Sequence, residues 1–347
     1  MSAAAALPRP HRASGWLLAA CALLATGAVL LAVFLGVVAI APAEIAAVLT
    51  GKGSSEARSI IIDIRLPRIV TGVLAGIHFA VAGLLLQTIT RNPLADPSVM
   101  GISQGATLSV TLFLLFSVYL QDPGTTARLT ALPLEWLPAV GMLGGLLAGA
   151  CIYLLAFRRE LGPLRVTLCG IAVGTILHAV AIGLIAGWGS ARIEVLLEWL
   201  SGSLYARSWQ HALFLLPFTV VGLAALVPLR RALDLLHFDP AVARSFGLSY
   251  RLHFSLALLL ACGLAASAVG VVGPIVFVGL VVPHLARFIA GRRSTFILPL
   301  TIALGAIVVT LADLAGRLAG RAEEIPIGVV TAICGVPVLI ALLRRMP

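Results

Sequence analysis

Residues 69–89 read IVTGVLAGIHFAVAGLLLQTI, an apolar run with the length of about 20 residues that a helix needs to cross a bilayer. The polar segment QTITRNPLADPSVMGISQGA, at 87–106, overlaps the end of this run. A second apolar run then continues to residue 119. We interpret the whole stretch as two membrane-spanning helices joined by a short loop.

The composition extends this interpretation to the whole chain. Of its 347 residues, 60% are hydrophobic and only 11% are charged, and the mean hydropathy is +1.09. Soluble domains carry roughly 25% charged residues, so a core this apolar could not be covered in water. We therefore predict an all-α polytopic membrane protein with a single domain over 1–347. The net charge of +10 does not indicate nucleic-acid binding, because the arginines cluster between apolar runs.

Ten apolar segments are predicted to cross the membrane. Arg9, His11 and Arg12 precede the first segment, as in a signal peptide, but the run from Trp16 to Ile40 exceeds the roughly 7–15 residues of a signal-peptide core. We therefore predict an uncleaved first helix. The predicted spans are 16–40, 69–89, 99–119, 137–157, 166–188, 212–229, 254–272, 275–289, 296–315 and 327–343.

Ten spans would place both termini on the same side of the membrane. Most of the 24 Lys and Arg residues fall in the loops of that side, whereas most of the 14 Asp and Glu residues fall on the other. The positive-inside rule makes the first side cytoplasmic. We predict a multi-pass protein of the cell inner membrane with both termini in the cytoplasm.

The polar loop contains a Gly-x-Ser-x-Gly pattern centred on Ser103, which can mark a serine nucleophile. A nucleophile needs a base within hydrogen-bond reach, and Ser103 would need His178 or His284 from another span. A strand should also precede it, whereas Asp96 and Pro97 predict the N-cap and first turn of a helix. An intramembrane serine protease is therefore only a remote alternative.

Other enzyme motifs are weaker still. GKGS at 51–54 lacks the earlier glycine and the Lys-Ser/Thr pair of a P-loop, and it falls on the predicted outer side. No metal-binding spacing appears, so we predict no catalytic residue, no metal site and no cofactor on this chain. The five cysteines all fall in apolar runs, which indicates small buried side chains; they are Cys21, Cys151, Cys169, Cys262 and Cys334.

Three arginines lie at predicted outer ends of spans. Arg65 and Arg68 precede the second span, and Arg317 follows the ninth. An arginine near a helix end often only anchors the helix at the interface. Its planar guanidinium also suits carboxylates, and the outer side otherwise lacks clustered cations. We favour a docking surface for an acidic partner.

A cytoplasmic segment, HFDPAVARSFGL at 237–248, predicts a short helix between two spans. Asp239 can cap this helix, with Pro240 at its first position and Gly247 at its end. Such a helix is either a connector or a contact for a cytoplasmic partner.

Five ordered segments together resemble the FecCD family of membrane permease subunits. They are RLPR at 65–68, RNPLADPSVMGISQGA at 91–106, DPAVARSFGL at 239–248, GPIVFVGLVVPHLAR at 273–287 and IPIGVVTAICGVP at 325–337. The family serves ATP-driven importers of iron–siderophore complexes, haem and cobalamin. The resemblance covers nearly the whole chain from Ile40 onward.

This resemblance implies a complete import assembly. It consists of ten helices per subunit, a homo- or heterodimer of permease subunits, two cytoplasmic ATPase subunits that bind ATP and Mg, and a periplasmic or lipid-anchored binding protein outside. The coupling helices would lie at about 237–252. The matched coupling residues are Asp239, Ala243, Arg244, Gly247 and Leu248.

The resemblance also assigns docking and gating positions. Arg65, Arg68 and Arg317 match residues that meet glutamates of the binding protein. Asn92 and Leu94 match a cytoplasmic gate. A cobalamin-importing relative has hydroxyl residues at a second gate, where this chain has only GPL at 162–164.

The segment WLSGSLYARSW at 199–209 is closer to siderophore permeases than to cobalamin permeases. We therefore favour a ferric siderophore as cargo, with haem or cobalamin as the alternative. His78 and His178 are candidate transient iron ligands along the path, or else packed polar residues.

Overall fold

The computed structural model describes residues 13–119, 134–157, 162–187, 199–291, 294–320 and 324–344. All regular structure within these ranges is helical. The helices are α1 Ala13–Phe34, α2 Pro42–Leu49, α3 Ser55–Arg58, α4 Leu66–Thr90, α5 Ile102–Tyr119, α6 Leu137–Phe157, α7 Pro163–Ala186, α8 Trp209–Leu236, α9 Pro240–Ser245, α10 Tyr250–Val272, α11 Val278–Ala290, α12 Ile297–Gly320 and α13 Ile327–Leu343. A π-helical turn, Ser59–Arg65, joins α3 to α4.

Each predicted span overlaps one of these helices, and the prediction of an all-α polytopic membrane protein is confirmed. Among the described residues, seven helical stretches are long and apolar enough to cross a membrane. The remaining three spans correspond to shorter apolar stretches, Ile102–Ser117, Val278–Ala290 and Ile327–Ala341.

The boundaries of two spans differ from the prediction. The first helix ends at Phe34 and not at Ile40, because the chain turns there against Arg65. A Cβ added at Gly36 would lie 2.8 Å from the Arg65 Nη2 atom. The predicted span 212–229 belongs to the longer helix α8. Apolar composition marks the membrane-embedded part of a helix, and α8 continues past it on both sides.

The prediction that Asp96 and Pro97 begin the third spanning helix is wrong. The Asp96 carbonyl accepts a bond from the amide of Met100 at 3.0 Å, and its carboxylate accepts one from the amide of Ser98 at 2.8 Å. These bonds close a separate turn. Gly101 then has a φ of +82°, which breaks the helical path, so α5 begins only after it.

Helix α4 forms the centre of the bundle, and it packs against α8, α10, α11 and α12. Its crossing with α12 is close because Gly76 faces Gly305. A Cβ added at Gly305 would lie 2.5 Å from the Gly76 carbonyl oxygen. Small residues permit such approaches between helices in lipid.

Helix α7 lies at the edge of the bundle and buries only one stripe of side chains. That stripe contains Val166, Gly170, Gly174, Ala181 and Ile185. The opposite face exposes large apolar side chains such as Leu168 and Ile176. A face of this kind requires lipid or another subunit as its neighbour.

Candidate functional site

The predicted docking arginines do not project freely from the outer end of the bundle. Arg68 and Arg317 belong to a group of charged side chains, here called the outer charge cluster, which also contains the buried Asp313 and the partly exposed Glu324. The Arg68 Nη2 atom lies 2.7 Å from an oxygen of each acid, and its Nε donates to Asp313 at 3.0 Å. Arg68 Nη1 donates to Glu324 at 2.9 Å. One guanidinium thus bridges α4, α12 and the segment before α13.

Arg317 lies one helical turn after Asp313 on α12. Its Nε is 3.0 Å from the second carboxylate oxygen of Asp313. That contact lacks hydrogen-bond geometry, and both Nε and Nη2 of Arg317 are buried without a hydrogen-bond partner in the described parts of the chain. The cluster therefore retains two nitrogen donors with no acceptor among the described residues.

Arg65 is separate from the outer charge cluster. Its guanidinium donates to the carbonyl of Val33 at 2.9 Å and also to the carbonyl of Val38. These bonds hold the end of α1 and the chain leading to α2. The three predicted docking residues therefore lie toward the same end of the bundle, but they are buried, and Arg68 is only 8% exposed.

The segment at 237–248 forms the expected short helix, α9. The Asp239 carboxylate accepts a bond from the amide of Ala241 at 2.9 Å, which caps the helix. Gly247 ends it with a φ of +80°. Ala243 and Leu248 point inward and are buried. This anchors the segment to the bundle by one face.

The opposite face of this segment is exposed. Phe238, Val242 and Phe246 present apolar side chains to the outside, and Arg244 is exposed beside them. Val242 lies on α9, and Phe238 and Phe246 lie just before and just after it, so together they form an apolar surface suited to a protein partner. These side chains are accessible to a partner without any rearrangement of the segment.

The loop between α4 and α5 contains the two predicted gate residues. The Asn92 side chain accepts a bond from the amide of Leu94 at 2.9 Å. Leu94 itself is 45% exposed. The carbonyl of Pro93 accepts a bond from His284 Nε2, on α11, at 2.7 Å. The loop therefore has an ordered backbone and offers one apolar side chain outward.

Arg91 begins this loop in a left-handed conformation, with a φ of 51°. Its Nε donates to the Leu236 carbonyl and its Nη2 donates to the Tyr250 hydroxyl, both at 3.3 Å. Leu236 ends α8 and Tyr250 begins α10. One side chain of the loop thus contacts both ends of the segment that contains α9.

Asp96 is buried at the far end of the same loop. A Cβ added at Gly279 would lie 2.8 Å from its Oδ2 atom, so the carboxylate lies against the first turn of α11. Burial raises the pKa of Asp96, and hydrogen bonds from Ser98 partly oppose that increase. The acid therefore ionises at a higher pH than a solvent-exposed aspartate does.

The two candidate iron-ligating histidines occupy different environments. His78 is fully buried, with Nε2 2.7 Å from the Thr219 hydroxyl and Nδ1 3.0 Å from the Ser267 hydroxyl. These contacts tie α4 to α8 and α10, so neither ring nitrogen is free for iron. His178 lies on the exposed face of α7. In this conformation only His178 is accessible.

Ser103 lies buried in α5. Among the residues that the structure describes, none of its hydrogen bonds joins its hydroxyl to a histidine, and His284 is committed to Pro93. The Gly-x-Ser-x-Gly pattern instead reflects packing. A Cβ added at Gly105 would lie 2.5 Å from the Gly144 carbonyl oxygen of α6.

Sequence reasoning missed Asp313, Glu324 and Tyr250 as partners of the predicted residues, and it considered His284 only as a base and not as a donor to Pro93. Asp313 did carry a signal, because it lies four residues before Arg317 in an otherwise apolar run. The partners of Arg91 lie 145 and 159 residues away in the chain. Local patterns do not report such contacts.

A helical membrane bundle with a short capped helix between two spanning helices defines the class as a polytopic membrane permease. Residues 23–345 match the family model described as the FecCD transport family. The chain belongs to that family, so it is a transport subunit and not an enzyme.

Individual relatives are similar over most of their length. The chain is 33% identical to the Fe(3+) dicitrate transport system permease protein FecD of Escherichia coli, over 92% of this chain and 95% of that protein. It is 32% identical to the iron(3+)-hydroxamate import system permease protein FhuG of Bacillus subtilis, over 90% and 91%. It is 33% identical to the iron-uptake system permease protein FeuC of Bacillus subtilis, over 82% and 84%.

A solved structure has the same fold. It is described as an inward-facing conformation of a metal-chelate type ABC transporter, with a TM-score of 0.82 and 26% identity. The match covers 96% of this chain and all of that one.

Proposed function

We propose that this chain is the permease subunit of an ATP-driven importer that carries a ferric siderophore across the cell inner membrane. The observation that carries the proposal is the similarity, over about nine-tenths of the chain, to permeases named for ferric citrate and ferric hydroxamate. Both cargoes are iron chelated by oxygen ligands. The relatives therefore favour a ferric siderophore over haem or cobalamin.

The working unit is a dimer of permease subunits, each with ten spanning helices and both termini in the cytoplasm. Seven long and three shorter apolar helices in the described ranges support this count. The exposed face of α7 supports a second subunit as its neighbour. The cargo would pass along the dimer axis beside this face, with His178 exposed to it. ATP and Mg bind to two separate ATPase subunits.

Helix α9 transmits the movement of the ATPase. Asp239 caps it, and Ala243 and Leu248 fix its inner face to the bundle, so it can act as a rigid lever. Its outer face, with Arg244 among exposed apolar side chains, would lie in a cleft of the ATPase. Gly247 gives the turn that returns the chain to the membrane.

Asn92 and Leu94 form the cytoplasmic gate. In the dimer, the exposed Leu94 side chains of the two subunits would approach each other and close the path. Transport then requires two packings of the subunits, inward-facing and outward-facing, whose populations ATP binding shifts. The permease itself performs no covalent chemistry.

The binding protein docks at the outer end through Arg65, Arg68 and Arg317. Because all three side chains are buried, docking requires the binding protein to reach them or this end of the bundle to open. Arg317 is the cleanest residue to test, because Asp313 keeps its bonds to Arg68 when Arg317 is replaced. Arg317→Gln should weaken binding of the loaded binding protein to the complex. An unchanged Kd at physiological salt would remove Arg317 from the docking surface.

The cargo can be tested in cells that lack their own iron-chelate permeases. This chain is expressed with its cognate ATPase and binding protein, and radioactive iron is supplied as ferric citrate, a ferric hydroxamate or haem. The proposal predicts uptake of at least one ferric chelate and none of haem iron. Uptake of haem iron alone would contradict it.

A further inference from the structure

Resting on the proposed function, we propose that Arg91 is a positioning residue that couples the ATPase-driven movement of α9 to the gate loop. The loop is defined here as residues 91–98, and the coupling segment as residues 237–249. Arg91 is the first residue of the loop, and its guanidinium contacts the residues on either side of the coupling segment.

The two contacts differ in chemistry. Leu236 is the last residue of α8, where carbonyl groups lack partners within the helix, so a cation there satisfies an acceptor and the helix dipole together. Tyr250 is the first residue of α10, and its ring is buried. A displacement of the coupling segment that moves either helix end would therefore pull on the same guanidinium.

Packing supports the hydrogen bonds. Ala243 and Leu248, from the inner face of the coupling segment, belong to the same buried apolar cluster as Ala95 and Met100, which lie in and just beyond the gate loop. Close-packed interiors transmit displacement, because they cannot compress to absorb it. The gate loop and the coupling segment are therefore one mechanical unit.

The other side of the gate loop is held by α11. His284 donates to the Pro93 carbonyl at 2.7 Å, and Asp96 lies against the first turn of that helix. Asn92 lies between Arg91 and these attachments, and Leu94 lies between the attachments at Pro93 and Asp96. When α8, α9 and α10 move relative to α11, Asn92 lies at the point where the two sets of attachments separate, and Leu94 follows two residues later.

The fork geometry of arginine is essential to this link. Nε and Nη2 lie on one rigid plane and reach two acceptors at once, whereas a lysine presents a single ammonium. Arg91→Lys therefore keeps the charge but cannot hold both contacts. Tyr250→Phe removes one contact and leaves the arginine in place.

The test uses the full complex in proteoliposomes with its binding protein and a ferric chelate that the wild type transports. ATP hydrolysis and iron uptake are measured together. Arg91→Gln removes both contacts of the guanidinium; it should retain hydrolysis and lower iron transported per ATP by about tenfold, a size consistent with the loss of charge-assisted hydrogen bonds. Arg91→Lys and Tyr250→Phe should each lower that ratio less.

The matched control is Arg231→Gln, which removes an exposed cation from the end of α8 and should keep the wild-type ratio. A second readout places a cysteine at Leu94 in a chain without its five native cysteines. ATP should change maleimide labelling of that cysteine in the wild-type background and should change it less with Arg91→Lys.

Two results would overturn the link. One is a wild-type ratio of iron to ATP in Arg91→Lys and Tyr250→Phe, and the other is nucleotide-dependent labelling that Arg91→Lys leaves intact. The two conservative variants decide the matter if Arg91→Gln fails to assemble. A wild-type complex that moves no ferric chelate would instead contradict the proposed function.

Discussion

Replacing Asp313 with asparagine tests the outer charge cluster. In the wild type the carboxylate receives three contacts from Arg68, at 2.7, 3.0 and 3.2 Å, and lies 3.0 Å from the Nε of Arg317. Asparagine has nearly the same shape but no charge. The change therefore leaves the packing in place and removes the anion shared by two buried guanidinium groups.

The expected loss in the free energy of unfolding follows from the burial of Asp313. Removing one partner of a buried ion pair costs about 3–5 kcal/mol, because the remaining charge stays desolvated and unpaired. Asp313 is 3% exposed, so water cannot replace it. Glu324 still accepts two bonds from Arg68, which places the expected loss near the lower end, about 3 kcal/mol. Glu324→Gln should cost less, about 1 kcal/mol, since that side chain is 23% exposed.

The assay is the free energy of unfolding of the purified permease in detergent, measured by denaturant titration. Asp63→Asn is the matched control, because Asp63 is exposed on the same side and should be neutral. Adding Arg317→Met to Asp313→Asn should recover part of the loss, since one buried unpaired cation disappears. A loss under about 1 kcal/mol for Asp313→Asn, or no recovery in the double variant, would refute the cluster as a stabilising element.

Three further predictions follow from the bundle and the loop. Gly76→Leu should destabilise the α4–α12 crossing and lower the free energy of unfolding by about 1–3 kcal/mol in the same titration. The control is Gly183→Leu, which should leave the free energy of unfolding unchanged, because a Cβ at Gly183 meets nothing within 4 Å. Burial raises the pKa of Asp96, so the folded protein binds this proton more tightly than the unfolded chain does, and the stability of the wild type falls as pH rises above the unfolded pKa. Asparagine does not titrate, so the melting temperature of Asp96→Asn minus that of the wild type should increase from pH 4 to pH 7. A difference that does not change with pH would contradict this. Ser103→Ala should leave iron uptake intact, and its abolition in a folded protein would reopen the protease alternative.

Much of the fold could be predicted from the lengths of the apolar runs alone. Each of the ten apolar runs contains a helix, because backbone polar groups in lipid must bond within their own segment. The ends of the helices were harder to predict. The start of α5 depends on the left-handed Gly101, and a proline after an aspartate fits a turn as well as it fits a helix.

The residues of the candidate site could be predicted from the sequence, but the surroundings of their side chains were harder to predict. The Asp239 cap and the turn at Gly247 followed from local rules. The burial of Arg68 did not, because Asp313 and Glu324 are about 250 positions away in the chain. Likewise, His78 is a packed residue only because Thr219 and Ser267 arrive from two other helices.

Transport activity of this chain as the path of an ATP-driven importer of ferric siderophores can be measured directly. The direct measurement is uptake of radioactive ferric chelate into proteoliposomes containing the permease and its ATPase, with the loaded binding protein outside and ATP inside. We predict accumulation that requires ATP, the binding protein and this subunit together. Accumulation without ATP, or hydrolysis-coupled import of haem or cobalamin with no ferric chelate transported, would contradict the assignment of this chain to ferric siderophore import.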